Sequence, residues 1–506
     1  MNKPRLYFWL TAVIYVITWV GISCVMSPGL DSYGDMVENY AWSQTWMLGT
    51  FKHPPFFAWM VKAWFALFPT EVWAYYVLSY LNALVGILGI VCLARLWLPE
   101  NLSAARRGVF VFVVLLFALL SAPYSNLASK FNADTVLLSL WPWTAYAFFA
   151  ALHEERFYHK WAFTVLLGVL AAAAMLSKYF TVILLVTLLL ISVSNAQYRQ
   201  WWRTRYPYVA FGVFIALMLP HLVWEIWHGF PFRQYVGGKI TEGVSVRRVF
   251  TFPLSGIYYL PLSWIAWWLL RRRFSAPQRQ ELTWKIPRRS LVLLSFLPAL
   301  LVVLVHIITH VHLTTHWAIP IWFALPALMA VWLLPLLSDD FAWRRLLRGL
   351  GVFWAAYVGV TAVVILFSAI LGDYSYTHGM PQMAQAIDKR FAERYPGQKL
   401  SWVAGAWPRP GAVSFFGKDH PRGLPSMPDK EVSQVNPYPE WKQTYGAVLC
   451  MPYRSGGCER AVRNWLHEQQ LGVEGDVLHY QAEGWQFIRS DVHDLTVFWV
   501  RPSVWE

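Results

Sequence analysis

The chain has 506 residues, of which 57% are hydrophobic and only 14% are charged, and it contains 31 tryptophans. This composition excludes an ordinary soluble domain and indicates an integral membrane protein. The formal net charge of +14 does not indicate nucleic acid, because most Lys and Arg stand in short runs between apolar segments, where they orient a chain in the bilayer. The sequence therefore predicts a lipid bilayer as the partner of these charges.

Apolar runs long enough to cross a bilayer predict about eleven transmembrane helices. They cover residues 7–26, 72–95, 108–124, 133–152, 161–177, 179–195, 208–224, 251–270, 291–309, 317–336 and 349–371. The fifth and sixth runs are divided at Lys178, because a lysine in the middle of a bilayer is costly whereas a lysine at a turn is not.

The basic residues predict the orientation of these helices. Lys and Arg concentrate in alternate loops, for example at Arg106 and Arg107, so the positive-inside rule places the N-terminus in the cytoplasm. An odd number of spans then places the C-terminus outside. We expect a multi-pass membrane protein, with a transmembrane domain over residues 1–371 and a second domain over residues 372–506 on the outer side of the membrane.

The C-terminal segment has the mixed charge and short apolar runs of a small α/β domain. Strands are predicted at AVSFF, GAVLC and LTVFWV, and helices at Met380 to Tyr395 and Glu459 to Gln469. Cys450 and Cys458 close the short loop CMPYRSGGC, and an oxidising exterior favours a disulfide between them. Two free thiols are the alternative, because sequence does not show whether the geometry permits a bond.

The first predicted outer loop, residues 27–71, contains the residues that we expect to organise the chemistry. Asp31 and Asp35 are four residues apart, so on a short outer-face amphipathic helix both carboxylates lie on one side. His53, Pro54 and Pro55 then end any helix that precedes them. The alternative is an interfacial amphipathic helix whose acidic residues are simply solvated.

Further polar residues fall at the same predicted outer face. They are Lys130, Asn132, Asp134, Lys178, Glu225, His228, Arg233, Lys239, Arg247, Arg248, His310, His312 and His316. Charges that border the bilayer core are functional candidates, because burying them is costly. A cap on the following helix is the alternative role for Asp134.

Other site chemistries have less support in the sequence. No carboxylate or cysteine stands at helical spacing from His310, His312 and His316 to complete a zinc site. We therefore assign no metal ligands, although a need for a divalent cation stays open. The chain contains no GxxxxGK[ST] loop, no GxGxxG unit and no GxSxG turn. The sequence therefore indicates neither a nucleotide site nor a serine hydrolase.

Several segments carry a resemblance to a known family. They are Asp35 followed by WSQTWMLGTFKHPPFFAW, then FNADTVLLSLW with Asp134, LSKYF with Lys178, LPHLVWEIWHGFP, and THWAIP with His316. In this order they resemble the polyprenol-phosphate-dependent glycosyltransferases of family 39 type. This GT-C class of membrane enzymes contains bacterial relatives of the protein O-mannosyltransferases and the lipid A aminoarabinose transferase.

Two departures leave the subfamily open. The family's first acidic residue is commonly followed by Glu, where this chain has Met36, and the aminoarabinose enzymes tend to carry Lys-Pro-Pro where this chain has His53-Pro54-Pro55.

The resemblance implies a GT-C fold and transfer of a sugar, with inversion, from a polyprenyl phosphate to a lipid, glycan or protein acceptor. It also implies a location in a bacterial inner membrane, with residues 372–506 in the periplasm. Asp35 is then the predicted catalytic base, and Asp134 positions the acceptor or shares that role. The predicted substrate-binding residues are Asp31, His53, Lys178, Arg233, Lys239, Arg247, Arg248 and His316. The cations among them would neutralise the leaving phosphate.

Two other functions remain as alternatives. A transporter or flippase of lipid-linked glycans would carry discontinuous helices and a repeat between its halves, and the sequence indicates neither. A ligase or polymerase of lipid-linked glycans shares the outer-face charges but not the HPP segment.

Overall fold

The structure is a computed structural model. It describes residues 3–240, 243–273, 282–337, 351–352, 354–364, 367, 379–425, 438–450, 455–472, 474–482 and 491–502. The chain divides into two compact units. The first contains Met1–Val20, Lys52–Phe56 and Val77–Arg348, and the second contains Gly21–Phe51, Phe57–Tyr76 and Gly349–Glu506. The predicted domain boundary at residues 371 and 372 lies outside the described residues.

The part of the chain before residue 337 is helical. Its helices are α1 (Lys3–Met26), α2 (Asp35–Ser43), α3 (Phe56–Phe65), α4 (Val72–Arg95), α5 (Ala104–Leu119), α6 (Leu137–His153), α7 (Phe157–Met175), α8 (Val182–Ser194), α9 (Ala196–Arg199), α10 (Tyr206–Trp227), α11 (Pro231–Gly237), α12 (Val246–Thr251), α13 (Ser255–Tyr258), α14 (Pro261–Arg273), α15 (Arg288–Thr309) and α16 (Leu325–Leu333). Short 3₁₀ turns join several of them, at Ala122–Tyr124, Asn126–Ser129, Tyr179–Thr181, Gln200–Arg203, Thr315–Ala318, Ile321–Ala324 and Leu334–Leu336.

Within the described residues, five helical segments are long and apolar enough to cross a bilayer. They are Val72–Arg95, Phe157–Met175, Tyr206–Trp227, Arg288–Thr309 and Thr315–Leu336. The number rises to seven if each of two bent pairs is one span. Shorter apolar helices lie at Leu10–Met26, Phe56–Phe65 and α17 (Trp354–Val364). The chain is therefore a multi-pass membrane protein, while the count of eleven spans stays a prediction.

The structure interrupts some of the predicted spans. The run at 251–270 is divided among α12, α13 and α14, because Pro253 and Pro261 disfavour a continuous helix. Ala104–Leu119 and Ala122–Ser129 are bent by 86°, and Tyr179–Ser194 and Ala196–Arg203 are bent by 105°. The sequence interpretation expected no discontinuous helix, so the bends are a correction to it.

The C-terminal part of the second unit contains a five-stranded sheet. Its elements are α18 (Met380–Arg394), β1 (Trp402–Gly405), α19 (Arg409–Phe416), β2 (Arg422–Pro425), a 3₁₀ turn at Pro439–Gln443, β3 (Gly446–Cys450), the helix Ser455–Glu468, β4 (Glu474–Ala482) and β5 (Asp491–Val500). The strand order is β2-β1-β3-β5-β4. Strand β1 pairs with β2 and β3 in parallel, whereas β5 pairs with β3 and β4 in antiparallel fashion.

Helices cover both faces of this sheet. Because neighbouring side chains of a strand point to opposite faces, Phe498 and Trp499 of β5 enter different cores. Phe498 packs in a cluster with Val462 and Leu466 of the helix Ser455–Glu468. Trp499 contacts Phe391 of α18, with 5.9 Å between ring centroids. The predicted α/β architecture is therefore present in this part of the chain.

One predicted element of this region is wrong. The run AVSFF, predicted as a strand, lies in the helix α19. A short apolar run cannot be assigned from periodicity alone, and Pro410 in the first turn of α19 favours a helix start. The predicted strands GAVLC and LTVFWV and both predicted helices are present within one or a few residues.

The predicted disulfide between Cys450 and Cys458 is present, with 5.9 Å between the two Cα atoms. It ties the end of β3 to the first turn of the helix Ser455–Glu468. Cys24 and Cys92 are free thiols, as expected for cysteines within apolar spans.

In the second unit, α2 packs closely against α19. A Cβ atom added to Gly411 would lie 2.5 Å from the carbonyl oxygen of Val37. The ring of Tyr40 contacts that of Phe415 at 5.1 Å between centroids. The side chain of Gln44 donates to the carbonyl of Pro421 and accepts from the amide of Gly423, both at 2.9 Å. The first predicted outer loop, apart from Lys52–Phe56, thus belongs to the second unit, where α2 forms part of the core.

This contact predicts that Gly411→Ala destabilises the second unit. The nearest atom to the new Cβ is backbone, which cannot move as a side-chain end can, so we expect a loss of about 1–3 kcal/mol in the free energy of unfolding. Gly457→Ala is the matched control, because nothing lies within 4 Å of its added Cβ. Thermal unfolding of the purified variants measures the difference, and equal midpoints would contradict the close approach of α2 and α19.

Candidate functional site

The first unit contains a break between two apolar helices, at Lys178. Helix α7 ends at Met175, and Lys178 has an extended backbone before the 3₁₀ turn Tyr179–Thr181. The hydroxyl of Thr181 donates to the carbonyl of Ala174 at 2.8 Å, and the amide of Phe56 donates to that of Leu176 at 2.9 Å. These bonds satisfy carbonyls at the end of α7, and the second ties the HPP segment to the break.

Lys178 forms an ion pair with Asp134. Its Nζ lies 2.5 Å from Oδ1 of Asp134, and the two side chains are only 11% and 14% exposed. The same Nζ lies 5.6 Å from the ring centroid of Trp317, a cation–π contact. The side-chain nitrogen of Lys178 thus lies between a carboxylate and an aromatic ring.

The turn before α6 shows why the carboxylate of Asp134 is available to Lys178. Oδ1 of Asn132 accepts the amides of Asp134 and Thr135, each at 3.0 Å. The amide of Asn132 in turn donates to the hydroxyl of Thr135 at 2.9 Å. Asn132 therefore organises this turn, and the alternative reading of Asp134 as the helix cap is not supported by its contacts.

A second polar cluster lies beside the break, and the predicted site residues did not include it. The hydroxyl of Tyr179 donates to Oε1 of Glu225 at 2.9 Å and lies 2.6 Å from Nε2 of His221. His221 and Glu225 are 1% and 2% exposed. They stand one turn apart near the end of α10. That spacing of ionisable residues within an apolar span was a signal for this cluster.

Residues from the predicted fourth and fifth outer loops come together. The amide of His312 donates to the carbonyl of Lys239 at 2.8 Å, and Arg248 donates to the carbonyl of Leu313 at 2.6 Å. Lys239 also lies 5.3 Å from the ring of Tyr235, and that ring contacts His53 at 5.7 Å between centroids. These contacts bring the predicted substrate-binding residues His53, Lys239 and Arg248 into one connected group.

Cations stand close together in this group. Burial lowers the pKa of His312, and the positive charges of Arg248 and Lys239 lower it further. Arg248 and Lys239 are therefore near enough to the same imidazole to attract one anion together. The group could therefore bind a phosphate.

The other predicted cations, His316, Arg233 and Arg247, are exposed to solvent. His316 lies next to Trp317 in the 3₁₀ turn Thr315–Ala318. Arg233 lies in α11 and Arg247 in α12. The structure thus places Lys178 and Asp134 beside the segment that carries His316. The roles of all the predicted site residues, those of Arg233 and Arg247 included, stay predictions.

Asp31 and Asp35 belong to the second unit, and the structure gives them different environments. Helix α2 begins at Asp35, so Asp31 precedes it and the two residues do not share a helix face as predicted. The carboxylate of Asp31 accepts the amides of Tyr33, Asp35 and Met36 at 3.2, 3.2 and 2.7 Å. Asp31 therefore organises the start of α2, and it is buried instead of solvated.

Asp35 occupies the first position of α2 and is half-buried. A carboxylate at a helix N-terminus is stabilised in its charged form by the helix dipole. Asp35 thus stands where a negatively charged side chain is favoured, as a proton acceptor requires.

Across the described residues, no group of three or more His, Cys, Asp or Glu could hold a metal ion.

The chain has a fold of the GT-C type, the fold of a class of membrane glycosyltransferases. Residues 52–224 match the sequence model of the family described as dolichyl-phosphate-mannose-protein mannosyltransferase. This segment contains the HPP turn, Asp134, Lys178 and His221. By sequence alone, no curated protein matches the chain.

Two solved structures are similar to the whole chain. One is ArnT from Cupriavidus metallidurans bound to undecaprenyl phosphate, with a TM-score of 0.58 and 16% sequence identity over 98% of each chain. The other is ArnT of the same organism in the apo state, with the same TM-score and identity, over 99% of this chain and 98% of that chain. The resemblance to GT-C enzymes that the sequence motifs predicted is confirmed.

Proposed function

We propose that this protein is an inverting glycosyltransferase that moves a sugar from a polyprenyl phosphate to an envelope lipid, glycan or protein at the outer face of a bacterial inner membrane. The observation that carries the proposal is the buried Lys178–Asp134 ion pair at a helix break, in a chain with a GT-C fold. The match to a mannosyltransferase family and the similarity to an ArnT bound to undecaprenyl phosphate support the lipid-phosphate donor.

The proposed reaction begins with the leaving group. As the glycosidic bond breaks, the polyprenyl phosphate gains negative charge, so a positive site that is already in place stabilises the transition state more than the ground state. Lys178 and the group containing Lys239 and Arg248 supply that positive charge. Asp134 keeps the ammonium of Lys178 in a fixed position through their ion pair.

The second requirement is removal of the acceptor's proton. We assign this role to Asp35, because it is half-buried and a carboxylate can accept a proton from an attacking hydroxyl. The capping bonds of Asp31 fix the first turn of α2 and with it the backbone of Asp35. His53 and His316 are proposed to contact the donor.

The test uses purified protein in lipid vesicles that contain polyprenyl-phosphate-linked sugars extracted from the cells of origin. We expect free polyprenyl phosphate to appear with time, and an acceptor in the same extract to gain the mass of one sugar by mass spectrometry. The bent helix pairs make a transporter the second candidate, since discontinuous helices occur in transporters. Movement of intact lipid-linked sugar from one leaflet of the vesicle membrane to the other, without release of polyprenyl phosphate, would favour a transporter instead.

A further inference from the structure

A cavity of about 500 Å³ lies where α6 ends and α7 begins. Its lining includes Tyr146, His153, Arg156, Phe163 and Lys285. Helix α6 starts just after Asp134 and ends at His153, a length of 17 residues. At about 1.5 Å per residue, this places the cavity roughly 25 Å along the helix from the Lys178–Asp134 pair. It is therefore separate from the candidate functional site.

Among the charged side chains that line the cavity, Lys285 is available to bind an anion. Glu154 and Arg156 neutralise each other through two bonds, Nε to Oε1 and Nη2 to Oε2, each at 3.0 Å. Hydrogen bonds from Arg156 lower the pKa of Glu154 to about 2, so this pair remains ionised and matched at any physiological pH. No carboxylate is recorded in an ion pair with Lys285 among the described residues, and Glu155, the other acid at the cavity, is exposed to solvent.

His153 supplies a second polar group at the same place. Its Nε2 is buried and has no hydrogen-bond partner among the described residues. The ring packs edge-on against Tyr198, at 5.5 Å between centroids. Burial, followed by the positive charges of Lys285 and Lys160, lowers the pKa of His153 to about 4, so the imidazole is neutral at physiological pH. A buried polar nitrogen without a partner costs about 1–3 kcal/mol, and a phosphate oxygen that accepts a hydrogen bond from Nε2 would remove that cost.

The remaining lining is apolar. Leu96, Phe163 and Ile286 stand beside the charged groups, so the cavity can receive a ligand that is polar at one end and apolar at the other. Basic pockets between transmembrane helices are typical sites for lipid head groups. We propose that Lys285 and His153 form a phosphate-binding site, whose ligand is a phosphate-bearing head group or a soluble phosphate.

The site is tested by lipid competition with the full-length protein. Protein purified in detergent is given equal amounts of phosphatidylglycerol and phosphatidylcholine, and the lipids that stay bound are counted by native mass spectrometry. We expect phosphatidylglycerol to be retained in preference by the unmodified protein. Lys285→Gln and His153→Phe should each reduce that preference at least fivefold.

Arg203→Gln is the matched control, because Arg203 is an exposed cation that does not line the cavity. It should keep the preference. If millimolar inorganic phosphate displaces the bound lipid, the site exists and takes a soluble phosphate. If the lipid stays bound in inorganic phosphate, the site exists and takes a lipid head group. Equal retention of both lipids by the unmodified protein, or equal losses in Lys285→Gln and Arg203→Gln, would overturn the proposal.

A second measurement guards against misfolded variants. A ligand that binds only the folded state raises the unfolding midpoint, so phosphatidylglycerol should raise it for the unmodified protein and for Arg203→Gln. No rise is expected for Lys285→Gln, whose midpoint without added lipid should be unchanged. Neither measurement depends on sugar transfer, so failure of this proposal is distinct from failure of the proposed function.

Discussion

Asp35→Asn is expected to lower the rate of sugar transfer by about a hundredfold or more, because an amide keeps the size of the carboxylate but cannot accept a proton. The donor should bind as before, since the proposed phosphate contacts are made by cations elsewhere in the chain. The unfolding midpoint should change little, because Asp35 is only half-buried. Single-turnover kinetics with a saturating donor, together with donor titration, separates the two effects.

Asp31→Asn provides the contrast on the same turn. One oxygen of Asp31 accepts the amide of Met36, and the other accepts the amides of Tyr33 and Asp35. In Asp31→Asn, the side-chain NH2 group replaces one of these oxygens and must then face a backbone N–H. This variant should lower the unfolding midpoint, and its transfer rate should fall only as far as α2 is disordered. Equal transfer rates for Asp35→Asn and the unmodified protein would remove Asp35 as the base. If Asp134→Asn is then inactive at normal stability, Asp134 takes that role.

The sequence was most informative for features whose energetic cost depends only on the segment in which they lie. A lysine inside an apolar run predicted the break at Lys178, because the charge is expensive at mid-bilayer whatever the neighbours are. The two cysteines near each other in the chain predicted the disulfide in the same way. The sequence did not show that Asp134 would be the partner of Lys178, since that pairing depends on how α6 and α7 pack.

Roles that depend on where a helix begins, or on what packs against it, were not predicted. Asp31 resembles a solvated acid until α2 is seen to begin at Asp35. The run AVSFF resembles a strand until it is seen to pack against α2, where Gly411 permits the contact. The Tyr179–His221–Glu225 cluster did leave a signal, because His221 and Glu225 are ionisable residues one turn apart in an apolar span.

Lys178→Met is expected to abolish sugar transfer and also to destabilise the protein. The ammonium is proposed to hold the donor phosphate, and its loss leaves the carboxylate of Asp134, only 14% exposed, without its cation. Removal of one partner of a buried ion pair costs about 3–5 kcal/mol. Lys178→Arg should fold but transfer poorly, because a guanidinium does not replace a compact ammonium.

The double variant Lys178→Met with Asp134→Leu separates catalysis from stability. Replacing both members of a buried pair by apolar residues is often neutral for stability, so the unfolding midpoint should recover towards that of the unmodified protein. Transfer and donor binding should remain absent, because the positive charge is still missing. The double-mutant cycle measures the coupling of the two residues in each readout. Recovery of both stability and transfer would assign Lys178 and Asp134 to the fold alone, and the donor phosphate would then have to bind the cations near Lys239 and Arg248.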